Sequence, residues 1–324
     1  MIKQEIPVFF TVDNNFTPYL TVAIQSLIEN ADPNNNYHVY VIHRGLSAKN
    51  QQLLKSMETA NVKVDNRLID IDLSIIQDRE ENYLKVDFFT RTIFYRLFLA
   101  DMFPQYDKGI YIDADAVILS DLKELYDVKL GDNLVAATED NSIKYVEPMH
   151  VYIKDALGLP FKDYINSGML VINMKAFREE HFTTHFLNLM KKYYFYCIAV
   201  DQDYLNEIAN GRILYLDNKW NAMPKDHKYD DEEIKDPKIV HYNLFYKPWY
   251  FKGIMYEKYF WEYVDKCPCA DYIKEQSAHT TDEKRKIEEA KFDKLFAKCY
   301  DLAKADNTFK HARENGEQIQ LIKK

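Results

Sequence analysis

Two aspartates separated by a single alanine, Asp113 and Asp115, follow the apolar segment 109–112. In an extended segment, side chains at positions i and i+2 point to the same side, so both carboxylates can reach one cation. Carboxylate oxygens suit Mn²⁺ or Mg²⁺, and either ion also binds phosphate oxygens. Because an isolated pair of this kind is also common in solvated turns, it predicts a metal site only together with other residues.

A histidine and a lysine in the last third of the chain extend this set. His241 follows the short apolar run 239–240, and its imidazole is a good third ligand for Mn²⁺. Lys247, directly before Pro248, can place a positive charge beside a diphosphate. The alternatives are a structural histidine and an ordinary surface lysine.

Polar residues that can read a nucleobase follow the first apolar run of the chain. Asp13 and Asn15 offer an acceptor for an imino N–H and a donor for a carbonyl oxygen. An Asx turn that caps the next helix explains the same residues nearly as well. The sequence leaves these two interpretations open.

Two further groups have the chemistry to bind a sugar. Asn166 stands before Gly168, where the backbone can approach a ligand closely, and its amide can bind a hydroxyl. Asp201 and Gln202 open a helical segment, where they meet a sugar if they face a cleft. Asp203, next along the chain, can instead serve only to complement the helix dipole.

The elements that position these residues follow an alternating pattern. β-rich apolar runs at 6–12, 37–42 and 62–71 alternate with helical periodicity, which predicts a parallel sheet covered by helices. Ligands of such α/β folds bind beyond the carboxyl ends of the strands. Further strands are predicted at 109–112, 133–138, 168–173 and 213–216, and further helices at 47–59, 89–99, 182–195 and 202–208.

The composition limits the class of protein. The 324 residues include 42 basic and 51 acidic side chains, a net charge of −9, which argues against nucleic acid as a partner. The four cysteines do not form a zinc framework and are expected to be reduced thiols. The sequence starts without a signal peptide and has no run long enough to span a bilayer. We therefore expect a cytoplasmic protein, soluble or peripheral at the inner face of the membrane.

Taken together and in this order, the motifs resemble glycosyltransferase family 8, which includes glycogenin and bacterial lipopolysaccharide galactosyl- and glucosyltransferases. The resemblance runs from about Ile6 to Trp249. Its strongest elements are Asp113-Ala114-Asp115, Asn166-Ser167-Gly168, Asp201-Gln202-Asp203, and His241 with Lys247-Pro248-Trp249. It implies an α/β type A glycosyltransferase fold with a mainly parallel mixed sheet, a UDP-sugar donor, a Mn²⁺ or Mg²⁺ cofactor, and retention of anomeric configuration.

The resemblance also implies a role for each matching residue. The implied roles are uracil recognition for Asp13 and Asn15, metal binding for Asp113, Asp115 and His241, diphosphate binding for Lys247, sugar and diphosphate contact for Arg96, and sugar binding for Asn166, Asp201, Gln202 and, more weakly, Asp140. The sequence departs from the family at two positions. Asn14 stands where many members have a second aspartate. Leu244 replaces a glycine that is frequent between the metal histidine and the lysine, so the loop over the diphosphate is expected to close differently.

The C-terminal part has a different composition from the rest. We predict a catalytic domain over 1–266 and a helical extension over 267–324. The extension carries an apolar stripe formed by Ile287, Phe292, Leu295, Phe296, Cys299 and Ala303. This stripe predicts packing on the chain itself or on a second subunit, with peripheral membrane contact as a third option. Residues from about Asn307 are expected to be frayed.

The predicted activity is transfer of galactose or glucose, with retention, from a UDP-sugar to a glycan or glycoconjugate acceptor. Because no second carboxylate is clearly placed as a nucleophile, front-side attack is predicted, with Gln202, Asp201 and Arg96 at the reacting face. Two alternatives stay open. One is a metal-dependent sugar-phosphate phosphatase of the haloacid dehalogenase type, and the other is a non-catalytic subunit that binds sugar nucleotides.

Overall fold

The first half of the described chain builds the parallel part of one sheet. The computed structural model describes residues 4–69, 91–226, 229, 232–244 and 246–323. Strands β1 (Glu5–Thr11), β2 (Asn36–His43), β3 (Val62–Leu68) and β4 (Gly109–Ile112) pair in parallel in the order β3-β2-β1-β4. The predicted alternation of strands and helices is confirmed here.

Beyond β4 the sheet becomes mixed. Strand β7 (Met169–Ile172) is antiparallel to β4, β6 (Val135–Ala137) is antiparallel to β7, and β8 (Ile213–Tyr215) is parallel to β6. A second antiparallel sheet pairs β5 (Ala116–Ile118) with β9 (Ile239–His241). The predicted mainly parallel mixed sheet is therefore confirmed.

Helices cover the sheet and continue to the C-terminus. The helices are α1 (Thr17–Asn30), α2 (Ala48–Lys55), α3 (Leu99–Met102), α4 (Leu122–Tyr126), α5 (Glu147–Tyr152), α6 (Met174–Glu179), α7 (Phe182–Lys192), α8 (Val200–Ile208), α9 (Glu257–Val264), α10 (Ala270–Ala278), α11 (Asp282–Leu302) and α12 (Phe309–Glu314). Over 89–99, where a helix is predicted, a 3-10 helix at Arg91–Leu97 precedes α3. Residues 89–90 of that prediction, and 70–71 of the predicted third strand, lie outside the described residues.

Alternation along the strands divides the apolar side chains between the two faces of the sheet. Val8 and Phe10 of β1 belong to one buried cluster, whereas Phe9 belongs to the other. Successive side chains of a strand point to opposite faces, so each face is covered by its own layer of helices. Helices on both faces thus support the edge of the sheet where β1 and β4 end and the antiparallel β7 begins.

The C-terminal helices pack on the same core. Leu295 and Cys299 of α11 are buried in the cluster that also contains Phe9, and α11 lies against α5. The predicted stripe therefore packs on its own chain, although Ile287 remains 54% exposed. The division of the chain at residue 266 stays a prediction.

The expectation of a frayed C-terminus is wrong. Phe309 and Ile319 are 0% and 1% exposed. Asn307 Nδ2 also donates to the carbonyl oxygens of Tyr193 and Tyr194, at 2.9 Å each. The tail is charged in composition, but its few apolar residues fill the core, and burial of such side chains outweighs the cost of ordering the segment. None of the helices in the described ranges is both long and apolar enough to cross a membrane.

Candidate active site

Strand pairing brings the two aspartates and the distant histidine together. Asp113 follows β4 directly, and its backbone N–H donates to the Gly168 carbonyl at 2.8 Å. In the second sheet His241 pairs with Ala116, and the Tyr242 N–H donates to the Asp115 carbonyl at 3.0 Å. The triplet is a turn between β4 and β5, not the extended segment that the sequence argument assumed. Both carboxylates nonetheless converge because strand pairing fixes the two ends of the turn.

The three side chains predicted to bind a metal lie close together. The His241 Nε2 atom lies 3.6 Å from Asp113 Oδ2 and 3.3 Å from Asp115 Oδ1. One ligand atom from each residue lies within 4.8 Å of the others. Two carboxylates and an imidazole form a donor set typical of Mn²⁺ and related divalent ions.

Hydrogen bonds fix the tautomer of the histidine. The Gly168 N–H donates to Asn166 Oδ1 at 3.0 Å, and that oxygen also accepts from Asn221 Nδ2 at 3.1 Å. Asn221 must then present its oxygen to His241 Nδ1, which lies 3.1 Å away. In the neutral ring Nδ1 therefore carries the proton, and the lone pair of Nε2 faces the aspartates. Two carboxylate oxygens and Nε2 thus face one another with their lone pairs, an arrangement that a bound cation would stabilise.

Two further observations agree with a metal at this position. Asp115 Oδ1 is buried and, among the described residues, receives no hydrogen bond. At Gly168, an added Cβ would lie 2.1 Å from His241 Cε1 and 2.7 Å from Asp113 Oδ2. The backbone approaches the cluster so closely that a side chain there would displace two of the three ligands. The donor set, the unpaired oxygen and the close backbone all fit the predicted metal.

Two cations are held against these carboxylates. Arg96 is 4% exposed, donates through Nη2 to Asp113 Oδ1 at 2.9 Å, and lies with its Nε atom 3.1 Å from Asp201 Oδ2. Lys247 donates to Asp115 and to the Tyr242 carbonyl. Burial opposes ionisation of Asp115, but the charge of Lys247 outweighs it and holds its pKa well below its usual range. Asp115 is thus ready to bind a cation at neutral pH.

A chain of amides and acids lines the next part of the cavity. Gln202 donates through Nε2 to Asp140 Oδ2 at 2.9 Å and accepts from the Ser167 N–H at 2.9 Å. Asn166 Nδ2 also donates to Asp140 Oδ2, at 3.1 Å. Each group is oriented by its neighbours, so the predicted sugar-binding residues Asn166, Asp140 and Gln202 form one connected wall.

Asp201 and Asp203 point in different directions from the start of α8. Asp201 Oδ2 lies beside Arg96 and accepts from Ser167 Oγ at 3.2 Å. Asp203 accepts from the Tyr152 and Tyr164 hydroxyls at 2.7 and 2.6 Å and from the N–H groups of residues 198 and 199. Burial raises the pKa of Asp201, against the opposing charge of Arg96, and raises that of Asp203 to about 6. Asp203 therefore binds the N-terminus of α8 and fixes it to the two buried tyrosines.

The first-strand motif also divides into two parts. Asp13 Oδ1 accepts from the N–H groups of Asn15 and Phe16, both at 2.9 Å, so the Asx turn is present, and Asp13 also lines the cavity. The Asn15 side chain is exposed and does not line that cavity. Asn14 donates to the Gly45 carbonyl at 3.0 Å and accepts from the Ser47 N–H at 2.9 Å. The Asn14 amide therefore connects the loop after β1 to the loop between β2 and α2.

All but one of the predicted site residues share a single cavity. Those that line it are Asp13, Arg96, Asp113, Asp115, Asp140, Asn166, Asp201, Gln202, His241 and Lys247. The sequence analysis missed Asn221, which orients His241, and Tyr111, whose hydroxyl donates to Asp113 Oδ1 at 2.6 Å. Tyr111 lies two residues before Asp113 on β4, a spacing that could have indicated it, whereas position 221 carries no such signal.

Comparison with known proteins identifies the family. The glycosyl transferase family 8 model matches residues 7–253. A putative glycosyltransferase of Haemophilus influenzae is 28% identical over 226 residues, which cover 69% of this chain and 65% of that protein. General stress protein A of Bacillus subtilis is 26% identical over 266 residues, 77% of this chain and 89% of that protein. The chain therefore belongs to glycosyl transferase family 8.

Solved structures agree on the fold. The bifunctional glycosyltransferase WbbM has a TM-score of 0.71 and 25% identity over 85% of this chain, which spans 52% of WbbM. The galactosyltransferase LgtC, in complex with donor and acceptor sugar analogs, has a TM-score of 0.64 and 23% identity over 87% of this chain and 100% of LgtC. The fold is the type A glycosyltransferase fold. The chain spans about two thirds of the Haemophilus relative and about half of WbbM.

Proposed function

We propose that this chain transfers galactose or glucose from a UDP-sugar to a glycan or glycoconjugate acceptor with retention of configuration. The observation that carries the proposal is the convergence of Asp113, Asp115 and His241 beside Lys247, at the carboxyl edge of the sheet. Mn²⁺ is the preferred ion, with Mg²⁺ as the alternative. A cytoplasmic location, where UDP-sugars are made, is part of the proposal.

The proposed donor site divides the ligand among three groups of residues. Asp13 and Asn15 bind the uracil, with Asp13 in the cavity wall and Asn15 exposed two residues further along the chain. Asp113, Asp115 and His241 hold the metal, which when bound would neutralise the diphosphate. Lys247 uses two of its three N–H donors on Asp115 and Tyr242, so a third remains to offer to phosphate oxygen. Asp140, Asn166, Asp201 and Gln202 take the sugar.

The proposed reaction exchanges one bond at the anomeric carbon for another. The bond from that carbon to the diphosphate oxygen breaks, and UDP leaves with the electron pair. The acceptor oxygen bonds to the same face, and its proton passes to the departing phosphate oxygen. Arg96 and Lys247 stabilise the negative charge that develops on the leaving group, and removal of one such group costs about 3–4 kcal/mol of barrier.

The surroundings of Asp201 support front-side attack over a covalent intermediate. Its Oδ2 atom is engaged by Arg96 Nε at 3.1 Å and by Ser167 Oγ at 3.2 Å, and a carboxylate oxygen held by two donors is a weaker nucleophile. Gln202, at the cavity wall, is an amide and poorly suited to attack. Mass spectrometry of the protein, quenched during turnover, is expected to detect no glycosylated Asp201. Detection of that adduct would overturn the front-side mechanism while leaving the donor site in place.

The first experiment measures UDP release from UDP-galactose and UDP-glucose with Mn²⁺, with Mg²⁺ and with EDTA. We expect Mn²⁺-dependent release that EDTA abolishes. A protein that binds UDP with Mn²⁺ in calorimetry but releases none from any donor would be the non-catalytic subunit. Release of phosphate from sugar phosphates would instead favour the phosphatase, although family membership and the position of the motif after β4 both argue against it.

A further inference from the structure

A second cavity, of about 430 Å³, adjoins the donor cavity, which contains the proposed donor site. Asn243 and Leu244 line both cavities, so these two residues lie in the wall between them. Phe292 and Phe296 of α11 also line the second cavity. Its volume has room for several water molecules, because one water occupies about 30 Å³ in the liquid. Water in the second cavity would therefore lie directly beside the donor cavity.

Hydrogen bonds connect this wall to the residues proposed to hold the sugar. Asn243 Nδ2 donates to Ser142 Oγ at 2.8 Å, and the Ser142 hydroxyl donates to Asp140 Oδ1. The other carboxylate oxygen of Asp140 accepts from Gln202 Nε2 at 2.9 Å. Leu244 thus directly follows a residue that two side chains connect to Gln202, at the proposed reacting face.

Apolar side chains form part of the lining of the donor cavity, in contrast to the charged residues of the metal cluster. They are Ile143, Met149, Ile198, Leu244 and Leu295. All except Leu244 are buried members of one core cluster, whereas Leu244 is partly buried and packs against that cluster from a loop. Apolar side chains offer water no hydrogen bonds, so the space beside them tends to stay dry.

Leu244 occupies this position in an unfavourable backbone conformation. Its φ is 53°, in the left-handed region that glycine adopts readily and leucine rarely. A glycine, frequent at this position in the family, would avoid that cost. Residues held in such conformations concentrate at functional sites, where the surrounding structure keeps them in place. The leucine therefore contributes a side chain to the wall of the donor cavity at a cost to the loop.

We propose that the Leu244 side chain keeps water away from the anomeric carbon, so that transfer prevails over hydrolysis of the donor. The inference rests on the proposed function, because it concerns the same reacting carbon. In hydrolysis a water oxygen bonds to that carbon in place of the acceptor oxygen. The bond to the diphosphate oxygen breaks, UDP leaves with the electron pair, and one water proton passes to the departing phosphate oxygen. Leu244 is thus a specificity-determining residue that selects against water.

The test measures the UDP and free hexose that form from UDP-galactose and UDP-glucose with Mn²⁺ and without acceptor. In Leu244→Gly both products should form about tenfold faster than in the wild type, because water gains a space that an apolar side chain filled. In Leu244→Met, which keeps an apolar side chain of similar volume, the rate should stay near the wild-type value. Calorimetry should give the same UDP affinity with Mn²⁺ for all three proteins.

A matched control is Asp236→Gly, because Asp236 has a φ of 55°, is exposed and lines neither cavity. Its rate of hydrolysis should equal that of the wild type. Thermal unfolding of each variant shows whether it remains folded. Leu244→Asn, a polar residue that also tolerates positive φ, should raise hydrolysis as well and takes the place of Leu244→Gly if that variant unfolds.

Two results would overturn the role of Leu244. One is equal hydrolysis in the wild type and the folded Leu244 variants while all of them bind UDP. The other is a fall in hydrolysis together with a fall in UDP affinity, because Leu244 would then support the nucleotide site and not exclude water. A wild-type protein that binds no UDP with Mn²⁺ would instead count against the proposed function.

Discussion

Among the described residues the same spacing of aspartates occurs twice, and the two pairs have different surroundings. Asp113 and Asp115 lie in the connection between β4 and β5, which belong to different sheets, and converge on His241. Asp201 and Asp203 lie in the first turn of α8, and there Asp201 contacts Arg96 whereas Asp203 contacts two tyrosines and the helix N-terminus. In a helix, residues i and i+2 are about 200° apart, so their side chains cannot meet on one ion.

The charges around the two pairs differ as well. Lys247 keeps Asp115 ionised, whereas burial raises the pKa of Asp203 to about 6. The lesson is that a spacing of two carboxylates does not define a cation site. The backbone that carries them and the cations that face them decide which pair binds an ion and which pair holds the fold.

The largest expected effect is at the turn pair. Asp115→Asn removes a charged ligand and the partner of Lys247, so kcat for UDP release should fall roughly 10²–10³-fold, with weaker Mn²⁺ binding in electron paramagnetic resonance titration. The matched control is Asp107→Asn, because that aspartate is 79% exposed. Equal activity of Asp115→Asn and the control would remove the distinction between the two pairs.

For the helix pair, the effect of Asp203 is expected on the free energy of unfolding. The pKa of Asp203 lies above its unfolded value of 3.8, at about 6, so its contribution to stability is fully present below about pH 4 and is lost as pH rises through 6. Two pKa units correspond to about 3 kcal/mol. The destabilisation caused by Asp203→Asn should therefore be about 3 kcal/mol larger at pH 4 than at pH 7.

Urea unfolding of both proteins at pH 4, 5, 6 and 7 measures this difference. If the free energies of unfolding of the wild type and Asp203→Asn change with pH in parallel, Asp203 is not a buried carboxyl group with a raised pKa. Asp107→Asn again serves as the control, and its effect on stability should vary little with pH.

A smaller effect is expected where the backbone touches the metal cluster. Gly168→Ala places a methyl group against His241 and Asp113, and displaced ligands should weaken Mn²⁺ affinity about 10–100-fold. Gly45→Ala is the matched control, because an added Cβ there meets nothing within 4 Å. If calorimetry gives Gly168→Ala the same Mn²⁺ affinity as the control, the three side chains do not form the ion site.

The smallest effect concerns Asn14, which stands where many family members have aspartate. Asn14→Asp replaces the amide that donates to the Gly45 carbonyl with an oxygen that repels it. The free energy of unfolding should fall by about 1 kcal/mol, with little change in UDP release. A gain in UDP affinity in calorimetry would show that position 14 faces the ligand and not the neighbouring loop.

Several predictions from the sequence hold because they depend on local pattern. The strands at 6–12 and 37–42 and the start of a helix at residue 47 follow from residue type and alternation. The structure has β1 and β2, and the Ser47 side chain caps α2 by accepting from the Asn50 N–H. The metal cluster was predicted because carboxylates and an imidazole suit a divalent cation and because the set of motifs resembles the family. Its geometry joins two sheets, since Asp113 follows β4 of the main sheet whereas His241 ends β9 of the second.

Other features depend on contacts between distant segments. The register of β5 against β9 decides that His241 meets Asp115, and Asn221 acquires its role only because Asn166 and His241 lie on either side of it. The buried C-terminal tail was mispredicted for the same reason, since its composition is charged while Phe309 and Ile319 reach a core built elsewhere.

The sequence by itself determined the α/β class, the family and the residue types at the site, because these depend on periodicity and on which side chains can bind a cation or phosphate. Only the tertiary structure decided which aspartate pair with this spacing faces His241, which tautomer that histidine holds, and that α11 lines a second cavity. Those outcomes depend on directions of side chains brought together across more than a hundred residues, and local pattern carries no information about such directions.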